Sequence, residues 1–282
     1  KYAVAVRKTD GEIVVKTEEY KGIVQNKKIR SLPIIRGVFS FIDSMVLGMS
    51  TLTYSASFFM DEEEEEKDEK KESVMMGLTI ACSVVMAVAI FMILPYFLSQ
   101  LFRKFTDSTT LITLLEGAVR LVIFFGYILL ISRMKDIQRV FMYHGAEHKC
   151  INCIEHGMEL NVENVLKSSR LHKRCGTSFL FIVMIVSIIF FLFIRIESPI
   201  WRVVFRLLLI PVIAGVSFEF IRLAGKSENK LVILLSKPGM MLQKLTTREP
   251  DASMAEVAIA SVEAVFDWRA YLKENFGWQE KV

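Results

Sequence analysis

The chain has 282 residues, of which 52% are hydrophobic and 23% charged, with a mean hydropathy of +0.40. Both fractions are high together, so the two kinds of residue are segregated along the chain, which argues against an ordinary soluble domain. The net charge of +4 is small and its basic residues are scattered over several loops, which argues against nucleic acid as a partner.

The chain opens at Lys1 directly into a strand-like segment, as a trimmed product would, with no signal peptide in view. Two Val-rich alternating runs flank Asp10-Gly11, which predicts a cytosolic β-hairpin within 1–30. A lone hairpin is marginal in water and needs a partner surface. Residues 34–59 are apolar but interrupted by Arg36, Gly37, Asp43 and Gly48. The region 31–60 is therefore read as an amphipathic or re-entrant helix on the membrane face. A true fifth span here would reverse the topology. The almost wholly charged run 61–73 cannot pack a core and is expected to be a flexible linker.

A bilayer core needs about 20 mostly apolar residues per helix. Val74–Phe102, Leu111–Ser132, Ser178–Ile194 and Val203–Ile221 qualify, giving transmembrane pairs within 74–132 and 178–222. Two polar couples lie at membrane depth, Glu116 with Arg120 and Glu219 with Arg222; the first is read as a self-paired structural couple or as part of a polar cavity under the metal loop, and Arg206 is placed to join either arrangement. Charges at that depth need partners or a polar cavity. The links between the spans of each pair carry only Arg103 with Lys104, and Arg195 with Arg202. The central segment 133–177 carries Arg133, Lys135, Arg139, Lys149, Lys167, Arg170, Lys173 and Arg174. That bias places the central segment and both termini in the cytosol. The fold class expected is an α-helical integral membrane protein with about four transmembrane helices, a cytosolic His/Cys-rich loop domain and a small N-terminal β-hairpin. Residues 223–282 are expected to form a cytosolic helical region, with Ser253 and Glu256 at capping-box spacing.

The chemistry concentrates in Tyr143–Thr177. All four histidines lie between His144 and His172, about a tenth of the chain, and Cys150, Cys153 and Cys175 join them. The fourth cysteine, Cys82, is read as a buried apolar residue. Histidine and cysteine are the preferred zinc ligands. His144, Glu147 and His148 spell H-x-x-E-H. On a helix this puts two imidazoles on one face, with a carboxylate beside them to activate a metal-bound water. His172 and Cys175 offer further ligands. Three ligands plus water make a catalytic site and four make a closed structural one; the residues allow either. Cys150 and Cys153 form a C-x-x-C, which is open to a redox reading, and with His156 supply secondary candidates.

The run YHGAEHK at 143–149, with Glu159-Leu160, Val162-Glu163-Asn164-Val165 and Arg174-Cys175-Gly176-Thr177-Ser178-Phe179, resembles the bacterial YqhQ-like membrane protein family, described as predicted metal-dependent enzymes of unknown function. The similarity extends to Arg36-Gly37, Leu47-Gly48-Met49, Glu116-Gly117, Arg120-Leu121, Met134-Lys135-Asp136-Ile137, Ala214-Gly215 and Leu245 to Asp251. The resemblance implies a metal centre of His144, Glu147, His148, His172 and Cys175. Cys150 stands where the family pattern has threonine and Lys173 where it has proline.

The expectation is a zinc-dependent hydrolase of the bacterial inner membrane acting at the cytosolic face. His144, His148, His172 and Cys175 would hold the metal, and Glu147 would be the catalytic base. The alternative is a non-catalytic assembly or interaction factor with a structural metal. Expected partners are the lipid bilayer, and other membrane proteins or a second copy of the chain.

Overall fold

The computed structural model describes residues 1–59, 69–173, 175–194, 196, 198–225 and 229–279. Most of the acidic run 61–73 lies outside them, as do Arg174 and Arg195; residues 69–73 begin a helix.

Strands β1 (Tyr2–Arg7) and β2 (Ile13–Glu18) pair antiparallel with Arg7 opposite Ile13. Gly11 takes the turn at φ +90, a region that L side chains avoid. A short helix α1 (Lys27–Ser31) follows, then α2 (Ile35–Ser57). One face of α2 is polar and tied down: buried Asp43 accepts from Tyr20 Oη (3.0 Å) and the Ile23 amide (2.8 Å), and pairs with Arg30. Ile42, Met45, Val46, Met49 and Leu52, at helical spacing, are exposed.

Helix α3 (Glu69–Val88) runs through a π-turn at Ala89–Ile93 into α4 (Leu94–Gln100). Then come α5 (Thr109–Ile131), α6 (Lys135–Glu155), α7 (Val162–Lys167), α8 (Gly176–Phe193), α9 (Pro199–Ala224), α10 (Lys230–Thr246), α11 (Ala252–Glu263) and α12 (Trp268–Phe276). α9 continues through Pro211.

Among the described residues five helices, not the four expected, are long and apolar enough to cross a membrane: Ile35–Ser57, Val74–Lys104, Thr109–Ile131, Gly176–Phe193 and Ile200–Ala224. The extra one is α2, whose polar residues are too few to lower its overall apolarity. Cys82, expected to be buried, is exposed on α3, as are its neighbours Ile80 and Val84.

Two cores result. In one, Leu242 of α10 sits among Phe124, Ile128 and Met184, joining α10 to α5 and α8. Deeper in this bundle Glu116 takes a bidentate grip from Arg206 (2.5 and 2.8 Å) and a bond from Arg120 (2.9 Å). Arg120 also donates to Ser187 (2.9 Å). The couple expected within α5 is therefore a cluster across three helices. Glu219 is held by Arg36 of α2 (Nε to Oε1 2.6 Å), while Arg222 stands 3.9 Å away.

The second core belongs to a helical domain of α6, α7, α11 and α12, built around Ala146, Cys150, Cys153, Val165, Ala255, Trp268 and Leu272. The hairpin finds its partner surface here: Arg7 donates to the Ser253 carbonyl (3.0 Å) and pairs with Glu256 (2.5 Å). The expected Ser253–Glu256 capping box does not form. Asp251 caps α11 instead, its carboxylate accepting from the Met254 amide (2.9 Å). A carboxylate at this position also complements the helix dipole, which leaves Glu256 to the hairpin.

Candidate metal centre

The H-x-x-E-H residues lie in the middle of α6, where His144 and His148 are one turn apart with ring centroids 4.4 Å apart. The third group arrives from the start of α8. Cys175 is the N-cap of that helix; its Sγ accepts from the Thr177 amide (3.4 Å) and lies 2.9 Å from the Thr177 hydroxyl. His144 Nε2 is 3.2 Å from Cys175 Sγ. One ligand atom from each of His144, His148 and Cys175 falls within 4.8 Å of the others.

Both imidazoles are oriented from behind. His144 Nδ1 is 2.9 Å from the Thr246 carbonyl and His148 Nδ1 is 2.7 Å from the Arg170 carbonyl. A carbonyl only accepts, so each Nδ1 carries the proton. Each Nε2 is then left to face the Cys175 sulfur. Ligating histidines are held in this way in metal sites, where the outer hydrogen bond fixes tautomer and ring direction. The donor set, two imidazole nitrogens and one sulfur, suits zinc.

The electrostatics agree. Burial pushes the Cys175 thiol up, but His144, His148 and Thr177 outweigh it and bring it down to about 5. Burial acts downward on His144, and contact with the Cys175 thiolate more than offsets that, leaving its pKa raised.

Glu147 and His172 line the same cavity of about 400 Å³ as His144, His148 and Cys175. Among the described residues no hydrogen bond or ion pair holds Glu147, which is exposed at the cavity mouth. His172 stands beside His144, His148 and Cys175, outside the group whose candidate ligand atoms lie within 4.8 Å of one another. Its ring centroid is 5.9 Å from that of His148, and its Nε2 is 3.2 Å from Glu155 Oε2. Its backbone is fixed by Gln243, which accepts from the His172 amide (2.9 Å) and donates to its carbonyl (2.7 Å).

The C-x-x-C residues are elsewhere. Cys150 and Cys153 are fully buried in the helical core, and burial pushes their thiols up to about 12 and about 11. Thiols of that kind are inert packing groups. His156 closes onto its own helix, Nδ1 2.7 Å from the Asn152 carbonyl. The sequence reading missed Thr246, Arg170, Thr177 and Gln243. Three of them act through main-chain atoms or a turn at a helix start, which residue type does not advertise.

Residues 32–268 match the family model described as "Protein of unknown function (DUF1385)". The chain belongs to the DUF1385 family. It is also 35% identical over 285 residues to "Uncharacterized protein YqhQ" of Bacillus subtilis (strain 168), covering 97% of this chain and 89% of that protein. No solved structure matches. The DUF1385 match spans α2 through the start of α12 and so includes every residue of the centre.

Proposed function

We propose that this DUF1385 protein is a membrane-embedded zinc hydrolase whose centre is His144, His148 and Cys175, with Glu147 as general base. The observation that carries this reading is the pair of Nδ1-to-carbonyl bonds, from His144 to Thr246 and from His148 to Arg170. Together they leave two Nε2 atoms converging on one thiolate. Three protein ligands, rather than four, leave a position open to a water or a substrate. When bound, zinc acidifies a water toward neutrality and polarises a carbonyl or phosphoryl oxygen. Glu147 sits at the mouth of the cavity, where it can take a proton from the attacking water and return it to the leaving group. His172, whose Nε2 pairs with Glu155, also lines this cavity.

The membrane reading rests on chain direction. Phe91 packs on Phe124 and Tyr127, and Tyr96 lies against Arg206 (5.5 Å). The helix from 74 to 104 therefore runs from the metal side of the bundle to the far side. α5 returns, α8 goes out and α9 returns. Both ends of α2 are then on the metal side: Arg36 holds Glu219 near the end of α9, and Tyr54 takes Lys16 of the hairpin over its ring (4.7 Å). Four helices cross, and α2 lies on the metal-side surface with its apolar face in lipid. The basic residues of α6 and its flanks support a reading in which that side faces the cytosol of a bacterial inner membrane.

Cobalt substitution tests the centre. The wild-type protein should show a thiolate-to-cobalt charge-transfer band and four-coordinate ligand-field bands. Cys175→Ser should lose the first and Glu147→Gln should keep both. A featureless spectrum overturns the metal reading and leaves Cys175 and His144 as a bare thiol–imidazole pair.

A further inference from the structure

A second cavity, of about 490 Å³, adjoins the metal centre and is lined by Ser132, Arg170, Lys244, Thr247, Arg248 and Glu249 among others. Its volume falls in the range of small-molecule sites. Three cations meet one carboxylate there, and that carboxylate is already engaged. Glu249 takes Lys149 at 2.9 Å and Arg170 at 3.2 Å. The Arg248 guanidinium donates to the Ser132 carbonyl (3.0 Å) and has no acidic partner among the described residues. Lys244 has no acidic partner among the described residues. The cavity thus carries an excess of positive charge with donors to spare.

Its position identifies the kind of anion. Ser132 is the C-cap of α5, and Leu245, like Phe125 and Phe181, packs against the cluster of Phe124, Ile128, Met184 and Leu242. On the same helices, Leu129, Leu130 and Met241 are exposed. Polar cavity and apolar flank therefore meet at the level where α5 and α10 would leave the hydrocarbon. A basic pocket between helices at that depth suits an anionic headgroup. We propose that this cavity binds the phosphate of an anionic glycerophospholipid, held by Lys244, Arg248 and Arg170, with its acyl chains along Leu129, Leu130 and Met241. This rests on the membrane reading above and not on the metal.

The cavity shares a wall with the metal centre. Thr246 holds His144 through its carbonyl, Thr247 accepts from Arg170, and the Arg170 carbonyl holds His148. A headgroup on one side of the 246–248 segment steadies the imidazoles on the other.

Native mass spectrometry of the full chain, offered phosphatidylglycerol or phosphatidylcholine in detergent, tests this. Phosphatidylglycerol should be retained about tenfold better, and Lys244→Glu, an exposed position that leaves the fold alone, should remove most of that preference. Arg248→Gln should weaken it further, and Lys273→Glu on α12 should leave it unchanged. His148→Ala should lose metal yet keep the lipid, so failure of the metal reading and failure of this one are distinguishable. Equal retention of the two lipids, or retention untouched by Lys244→Glu, overturns the proposal. Displacement by an equal concentration of inorganic phosphate would overturn the lipid assignment in favour of a free-phosphate site.

Discussion

Gly145 lies against the carbonyl of Arg248 so closely that an added Cβ would be 2.1 Å from its oxygen. The main chain of α6 therefore packs directly on the segment that carries Thr246, and the Arg248 amide donates to the Phe141 carbonyl (2.9 Å). This contact between two backbones sets the distance from Thr246 to His144. Gly145→Ala should cost about 1–3 kcal/mol in stability. It should also weaken metal binding by about 10–100-fold by releasing that hydrogen bond. Thermal unfolding and a metal-competition titration check the two effects.

Cys175 should react as a thiolate in metal-free protein. Its folded pKa, about 5, lies below the ordinary thiol value. Alkylation by iodoacetamide should therefore follow a midpoint near pH 5, and bound metal should suppress it. The lowered value also fixes a sign. The thiolate contributes stability that is fully present above the unfolded pKa of about 8.5 and is lost as pH falls through about 5. The melting temperature of the apo protein, but not of Cys175→Ser, should drop across that window.

Cys150→Ala should leave metal content unchanged. Its side chain is fully buried between α6 and α11, away from the cavity. The loss is a small packing defect of about 1 kcal/mol. A fall in metal stoichiometry would contradict its assignment to the core.

Glu116 carries two arginines in the bundle interior. Glu116→Gln leaves both uncompensated and should cost about 3–5 kcal/mol. Resistance to detergent-induced unfolding reads this directly, and Arg206→Met alone should be milder because Arg120 remains paired.

A membrane-impermeant maleimide checks the four-crossing topology in intact cells. Thr106→Cys, between α4 and α5, should be labelled from outside. Ser57→Cys at the end of α2 and Ser261→Cys on α11 should be labelled only after permeabilisation. Labelling of Ser57→Cys from outside would make α2 a crossing helix.

The sequence carried the local part of this architecture. Periodicity put His144 and His148 on one helical face, Asp10-Gly11 marked the hairpin, and apolar length marked the long helices. What it did not carry were relationships made by the main chain. Neither the Thr246 nor the Arg170 carbonyl has a residue-type signature, so the orientation of the imidazoles was not legible. His172 and Cys175 are three apart and were equally plausible ligands. The cap at the start of α8 turns Cys175 inward, while Gln243 and Glu155 hold His172 to one side. The count of spans left out α2, read as a surface helix because Arg36, Gly37, Asp43 and Gly48 interrupt it, although these residues do not stop it being long and apolar enough to cross.

Metal content of the purified protein, measured by inductively coupled plasma mass spectrometry on wild type, His148→Ala and Glu147→Gln, addresses the centre most directly. One zinc per chain is expected in wild type and in Glu147→Gln, with loss of the metal in His148→Ala. Zinc that is absent from wild type, or retained by His148→Ala, would contradict the proposed centre.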